Sequence, residues 1–151
     1  MKTKIYVTLL LAFGGILFSS FLCKKYAIKL IDASSQNWVS GIQSGGSGTE
    51  YYFKIKILTE QKIDFDSLWV KNESFKTYLA NKGNGISGKP ITFSKNDTIT
   101  LRASDLSKKN NTTLKTPINY KGVALLRYFV KNKEYYLSIE KIKTIPSINR
   151  P

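Results

Sequence analysis

The sequence predicts an all-β fold, an antiparallel β-sandwich immunoglobulin-like in general shape, preceded by one N-terminal hydrophobic helix. Three observations lead there. Residues 5–22 are an unbroken uncharged run between Lys2 and Lys4 on one side and Lys24 and Lys25 on the other. From residue 36 onward, short stretches alternate apolar and polar positions and are separated by Gly, Asn, Asp, Ser and Pro, the pattern of strands and turns. After the first run no convincing amphipathic helix follows. A barrel is the alternative closure of the same strands. The division expected is 1–25 anchor or signal, 26–35 linker, 36–145 sandwich and 146–151 extended tail.

A basic start followed by an apolar core is an export or membrane-insertion pattern. The 18 residues of the run would rise roughly 27 Å as a helix, close to the ~30 Å hydrocarbon core of a bilayer. An uncleaved membrane anchor is therefore physically adequate. The one cysteine, Cys23, directly follows the run, where a bacterial lipoprotein carries its acylated residue. Bulky Leu22 at the cut site argues against that processing. A small-x-small pair at Ala33 and Ser35 lies too far downstream for ordinary cleavage. Three readings stay open: anchor, lipoprotein and released protein. In each the domain is placed outside the cytoplasm.

Between about 115 and 128 residues remain for the domain, the size of one ordinary core. Hydrophobic content of 42% and aromatic content of 13% supply that core and argue against disorder. Residues 36–42 form a short strand around Trp38, ended by a Gly-rich loop over 41–48. Tyr51, Phe53, Ile55 and Ile57 alternate with Tyr52, Lys54, Lys56 and Leu58, so one strand face is buried and the other wet. Ile63 and Phe65 continue the period, but Leu68 and Val70 change parity, which a bulge near Asp66 and Ser67 would restore. Residues 74–79 are a weaker segment, followed by a loop with Gly83, Gly85 and Gly88. Residues 90–93 and 98–101 flank the turn formers 94–97 and read as a hairpin. Residues 105–117 are a polar loop. Residues 120–131 and 133–143 form the longest predicted hairpin, turning near Asn132. The near-absence of polar positions over 123–130 marks a strand covered on both faces. Pro146 and Pro151 end the chain in extended, non-sheet form.

Histidine is absent, which removes the commonest general base, the commonest zinc ligand and every Ser-His or Cys-His pair. With Cys23 assigned to the signal, the exported part has no disulfide. Asp64 and Asp66 share a strand face, but two carboxylates without a third make a weak calcium site and lack the opposed geometry of a glycosidase pair. The glycines at 83, 85 and 88 are followed by no Lys-Ser/Thr pattern and read as turns. No catalytic, cofactor or metal residues are assigned, and a hydrolase is a distant alternative.

The formal net charge is +14, from 21 Lys and three Arg against ten carboxylates. Solvated strand faces explain most of it. An electrostatic alternative is binding to anionic lipid or polysaccharide through a Lys-rich C-terminal face with Lys131, Lys133, Lys141 and Lys143. Few arginines weaken specific phosphate or base recognition, and no nucleic-acid partner is expected. Trp69 falls opposite Leu68 and Val70 in parity. An exposed Trp69 with Trp38, Tyr52 and Tyr136 would make a stacking platform for sugar or protein.

The string from Gln36 through Trp38 to Gly41, the Gly-Ser loop, Tyr51-Tyr52 and the stretch from Asp64 to Trp69 resembles small envelope proteins of Bacteroidetes and flavobacteria, a group with no assigned activity. The resemblance implies a bacterial envelope location. It also brings Asp-Ser/Thr-aliphatic triplets into view as O-glycosylation sites, with Ser67 and Thr98 as the acceptors. The function expected is a non-enzymatic, membrane-tethered envelope protein, attached through residues 5–22 or a lipidated Cys23, whose sandwich contacts a protein or surface glycan.

Overall fold

A computed structural model describes residues 26–42, 45–71, 73–80, 89–104 and 116–150. The anchor run, Cys23, the glycines at 83, 85 and 88 and most of the 105–117 loop lie outside these residues. Among the described residues no helix is long and apolar enough to cross a membrane.

The described chain is all-β in two sheets, an arrangement consistent with a β-sandwich. In chain order the strands are β1 (Ile28–Ser40), β2 (Ser47–Ile57), β3 (Gln61–Val70), β4 (Glu73–Lys76), β5 (Tyr78–Leu79), β6 (Ile91–Phe93), β7 (Thr98–Ser104), β8 (Ala124–Val130), β9 (Lys133–Ile139) and β10 (Lys143–Arg150). One sheet has the order β10-β1-β2-β7-β5, and the other β4-β3-β8-β9 with β6 also on β3. Alternation in β2 does as its residue types require. Phe53, Ile55 and Ile57 are fully buried, whereas Lys54 is exposed. Across the interior they meet Ile63, Phe65, Leu68, Leu126 and Tyr128 from the second sheet. Each such buried side chain stabilises by roughly 1.5–3 kcal/mol.

Phe65 is a node of this core. Its ring lies 6.0 Å from Phe93 and 6.3 Å from Tyr128, and Tyr128 stacks on Tyr135 at 5.6 Å. Burial pushes the Tyr128 hydroxyl up to about 12, because an apolar surround disfavours the phenolate. The parity break in β3 is a bulge: Phe65 pairs with Tyr128 but Ser67 with Arg127, leaving Asp66 as the extra residue. β8 lies between β3 and β9, and Ala124, Leu125 and Leu126 are buried on both of its faces. Its hairpin to β9 closes through Lys131 and Asn132, at φ 49° and 62°, with Val130 opposite Lys133. Left-handed backbone at both central residues is the two-residue turn that matches strand twist.

Several sequence expectations need correction. Residues 28–35 are not a linker but the first half of β1, paired with β2 from Ile28 onward. A bulge at Ile31, between the Leu30 and Asp32 pairs, breaks the alternation that would have revealed it. Residues 90–93 and 98–101 do not form a hairpin. β6 joins β3 while β7 joins β2, so the 94–97 turn carries the chain from one sheet to the other. Its geometry is still a tight turn, with the Ser94 amide donating to Asp97 Oδ2 at 2.8 Å. Residues 146–150 are not a free tail. They belong to β10, which runs parallel to β1, so the fold is not wholly antiparallel. Pro146 is tolerated because β10 is an edge strand and the register shifts there, Gln36 pairing with Ile145 and Trp38 with Ile148. The Pro146 carbonyl accepts from Gln36 Nε2 at 2.9 Å.

Candidate functional site

The three arginines of the chain are each committed to carboxylates, and two of them cover the two tryptophans. On the outer face of the first sheet, Glu50 is 1% exposed. Arg102 donates to its Oε1, Arg150 Nη2 lies 2.6 Å from its Oε2, and the Tyr52 hydroxyl donates to the same oxygen. Burial alone would raise the Glu50 carboxyl, but the hydrogen bonds from Tyr52, Arg150 and Arg102 outweigh it and hold it below its ordinary value. Burial and the Glu50 charge push the Tyr52 hydroxyl up, so it remains a donor. Arg150 also lies over the Trp38 ring, 4.9 Å from its centroid. Trp38 seats on Gly48, its partner across the β1–β2 ladder. A Cβ at residue 48 would stand 2.9 Å from Trp38 Nε1 and 3.0 Å from two ring carbons, so this glycine makes room for the indole.

A matching cluster lies on the outer face of the second sheet. Arg127 donates to Asp66 through Nε at 2.9 Å and to Glu134 Oε1 through Nη1 at 3.3 Å. Its guanidinium lies 5.2 Å from the Trp69 centroid and 5.7 Å from that of Phe129. Asp66 is thus engaged by a cation of the protein itself.

These clusters overturn the stacking platform. Trp69 and Trp38 are buried, at 3% and 6% exposure. Trp69 does lie on the face opposite Leu68 and Val70, but Arg127 covers it there and Leu125 flanks it across the ladder. Tyr52 and Tyr136 are half-buried and on different sheets, so the four rings form no common surface. The lysine patch is not one patch either. Lys131 and Lys133 stand at one end of β9, Lys141 and Lys143 beyond the other. The seven residues of that strand separate them by about 23 Å. Lys143 is also paired with Asp32 at 2.9 Å, which holds the Asp32 carboxyl below its ordinary value. Of the two glycosylation candidates, Thr98 is exposed, whereas Ser67 is fully buried and donates to Asp66 Oδ2 at 2.7 Å. Ser67 is closed to modification in the folded protein.

What the structure does assemble is a cleft of about 580 Å³ at one end of the sandwich. Its floor is the inner face of the first sheet. Along that face the directly opposed pairs run Ala33–Phe53, Ser35–Tyr51 and Asn37–Thr49, so an apolar core surface turns polar two residues at a time. Thr49 Oγ1 donates to Asn37 Oδ1 at 3.1 Å, and the Tyr51 ring rests 5.5 Å from Phe75 at the margin of the core. Thr144 of β10 extends the floor beside Ser35. One wall is Val70 and Lys71 at the end of β3, and the other is Tyr120, Gly122 and Val123 leading into β8, with Ile142 closing the side. Lys71 and Gly122 both have left-handed backbone, at φ 49° and 135°. None of the described lining residues is a carboxylate, and no group of acidic, His or Cys side chains able to hold a metal occurs among the described residues. A smaller hollow of about 330 Å³, with Glu60 and Lys131 on its rim, lies at the opposite end.

The described lining of the cleft includes none of the candidate site residues named from the sequence. Its signal was present: Ser35, Asn37 and Thr49 occupy the inward parity set by Ala33 and Phe53. No family model matches this chain, and no curated protein matches it.

Proposed function

We propose that the protein is a non-enzymatic envelope protein, tethered at the membrane through residues 5–22 or an acylated Cys23, whose immunoglobulin-like sandwich binds a surface glycan in the inter-sheet cleft. One observation carries this reading: the inner face of the first sheet continues past the core as Ser35, Asn37, Thr49 and Tyr51. Hydroxyls and an amide on a rigid sheet are the groups that exchange hydrogen bonds with a polyol, and Val70, Val123 and Ile142 offer apolar surface to C–H faces. A volume of about 580 Å³ is within the roughly 300–1,000 Å³ of small-ligand sites.

Residue types support binding rather than catalysis. The chain has no histidine, and among the described lining residues no carboxylate stands beside the cleft hydroxyls to act as a base. Placement supports the tether. β1 starts at Ile28, at the end of the sandwich opposite the cleft, and rises about 30 Å before Asn37. An anchored domain would therefore hold its cleft away from the bilayer. The envelope location rests on the export pattern of the first 25 residues and the resemblance drawn from sequence.

The test uses the full chain in lipid nanodiscs and polysaccharide purified from its own cell envelope. Asn37→Leu removes an amide at the floor and adds no cavity. It is expected to weaken binding roughly tenfold with little change in melting temperature. Unchanged affinity would move the site off the cleft, and wild-type protein that ignores the polysaccharide would end the glycan reading.

A further inference from the structure

We infer that the cleft selects a sugar unit bearing an acidic substituent, carboxylate or phosphate, and that Lys71 is the residue that reads the charge. The inference rests on the reading of the cleft as a glycan site and adds its ligand class.

Lys71 is the one cation among the described lining residues, and no carboxylate stands there to neutralise it. Solvated lysines such as Lys54 and Lys95 are also without an ion pair among the described residues, but they stand on open surface, whereas Lys71 stands in the cleft. The paired cations are others. Arg102 and Arg150 are taken up by Glu50, Arg127 by Asp66 and Glu134, and Lys143 by Asp32. Lys71 has no ion pair among the described residues. A cation left unpaired in a concave site, beside hydroxyls that can orient a ligand, is the arrangement that favours an anion.

The backbone fixes where this cation starts. Lys71 follows directly on Val70, which is 3% exposed and paired in the β3 ladder, so the base of its side chain is anchored. It adopts φ 49°, a conformation that glycine or asparagine takes more cheaply. Lys131 has the same backbone in the β8–β9 turn. Here the turn is the one that brings Glu73 opposite Val70, and it sets the base of a long cationic arm at the mouth of the cleft. Facing it, Gly122 presents no side chain, and Tyr120 contributes a hydroxyl-bearing ring. The ammonium is a compact charge with three donors, suited to carboxylate or phosphate without the fork geometry that arginine would impose. The field of a chain with net charge +14 adds long-range attraction for acidic glycans, and it screens away with salt.

The experiment is an array of di- to tetrasaccharides bearing a uronate or a phosphate monoester, each beside its carboxyl-reduced or dephosphorylated counterpart, probed with the full chain in nanodiscs. Acidic members are expected to bind at least tenfold better than their neutral counterparts. Lys71→Gln is expected to level the two sets, while Lys95→Gln, in the turn at the far end of the sandwich, preserves the preference. Equal binding of acidic and neutral members would overturn the charge selection and leave the glycan site standing. Equal losses in Lys71→Gln and Lys95→Gln would also overturn it, because diffuse charge would then account for the preference. No binding by any member would remove both the inference and the reading beneath it.

Discussion

Gly122→Val is expected to lower the stability of the domain by roughly 3 kcal/mol, the sum of backbone strain and overpacking each worth about 1–3 kcal/mol. Gly122 has φ 135°, where an L side chain is strained wherever it points. A Cβ there would also stand 2.5 Å from the Ile139 carbonyl oxygen and 2.9 Å from its carbon. Those atoms are backbone and cannot swing aside. The same carbonyl accepts from the Val123 amide at 2.8 Å, the bond that sets β8 into the sheet beside β9. Residue 122 thus closes the ladder and shapes one wall of the cleft at once. In thermal unfolding followed by circular dichroism, the variant should melt roughly 10 °C lower. A melting temperature within a degree or two of wild type would mean that the chain does not pass Ile139 this closely.

Glu50→Leu should cost roughly 2–3 kcal/mol, at or below the lower end of the range for breaking a buried ion pair. Glu50 is 1% exposed, but Arg102 and Arg150 are 41% and 29% exposed, so water recovers part of their solvation. The loss is also local. Without the carboxylate, Arg150 loses its ion pair, the side-chain tie from the end of β10 to β2 that supplements the backbone ladder to β1. Faster amide exchange at residues 143–150 should accompany the lower stability. The pH dependence follows from the depressed carboxyl. A folded-state value below the ordinary 4.5 means that this stabilisation is fully present above about pH 4.5 and fades as the pH falls through the folded value. The difference between wild type and Glu50→Leu should therefore be constant near neutrality and shrink in acid. A difference that grows as the pH falls would contradict the assigned direction.

Much of the strand pattern is legible in the sequence. Alternation through Phe53, Ile55 and Ile57 gave the buried face of β2. The parity change after Phe65 located a bulge that the pairing of Phe65 and Ser67 places at Asp66. Asn132 marked the β8–β9 turn, and loss of polar positions marked β8 as central. What could not be read was which sheet each strand joins. Ser94, Asn96 and Asp97 make a good turn whether the chain folds back on its neighbour or crosses to the other sheet, and here it crosses. Local composition fixes a turn; only the packing of distant strands decides where it leads.

The cleft was hidden for a related reason. Ser35, Asn37 and Thr49 have the composition of solvated strand ends, and they become a floor only because the second sheet stops short of them. Trp69 stands out in the sequence as a large aromatic on outward parity, and Trp38 as one beside the Gly-rich loop. In sequence Gly48 belongs to the Gly-rich loop over 41–48, but it lies in β2, and its missing side chain is what seats the Trp38 ring. Arginine scarcity pointed away from specific recognition, whereas all three guanidiniums serve the fold by pairing carboxylates, two of them over indoles.

We propose the cleft at the end of the sandwich, and not either outer face, as the ligand surface. Hydrogen–deuterium exchange of the full chain in nanodiscs, with and without the purified envelope polysaccharide, tests it directly. Binding in the cleft should slow exchange at residues 35–37, 49–51, 70–71 and 120–123 and leave the β8–β9 turn unchanged. Protection confined to the outer-face cluster of Arg127 and Glu134 in β8 and β9, or none at concentrations where the polysaccharide binds, would contradict that assignment.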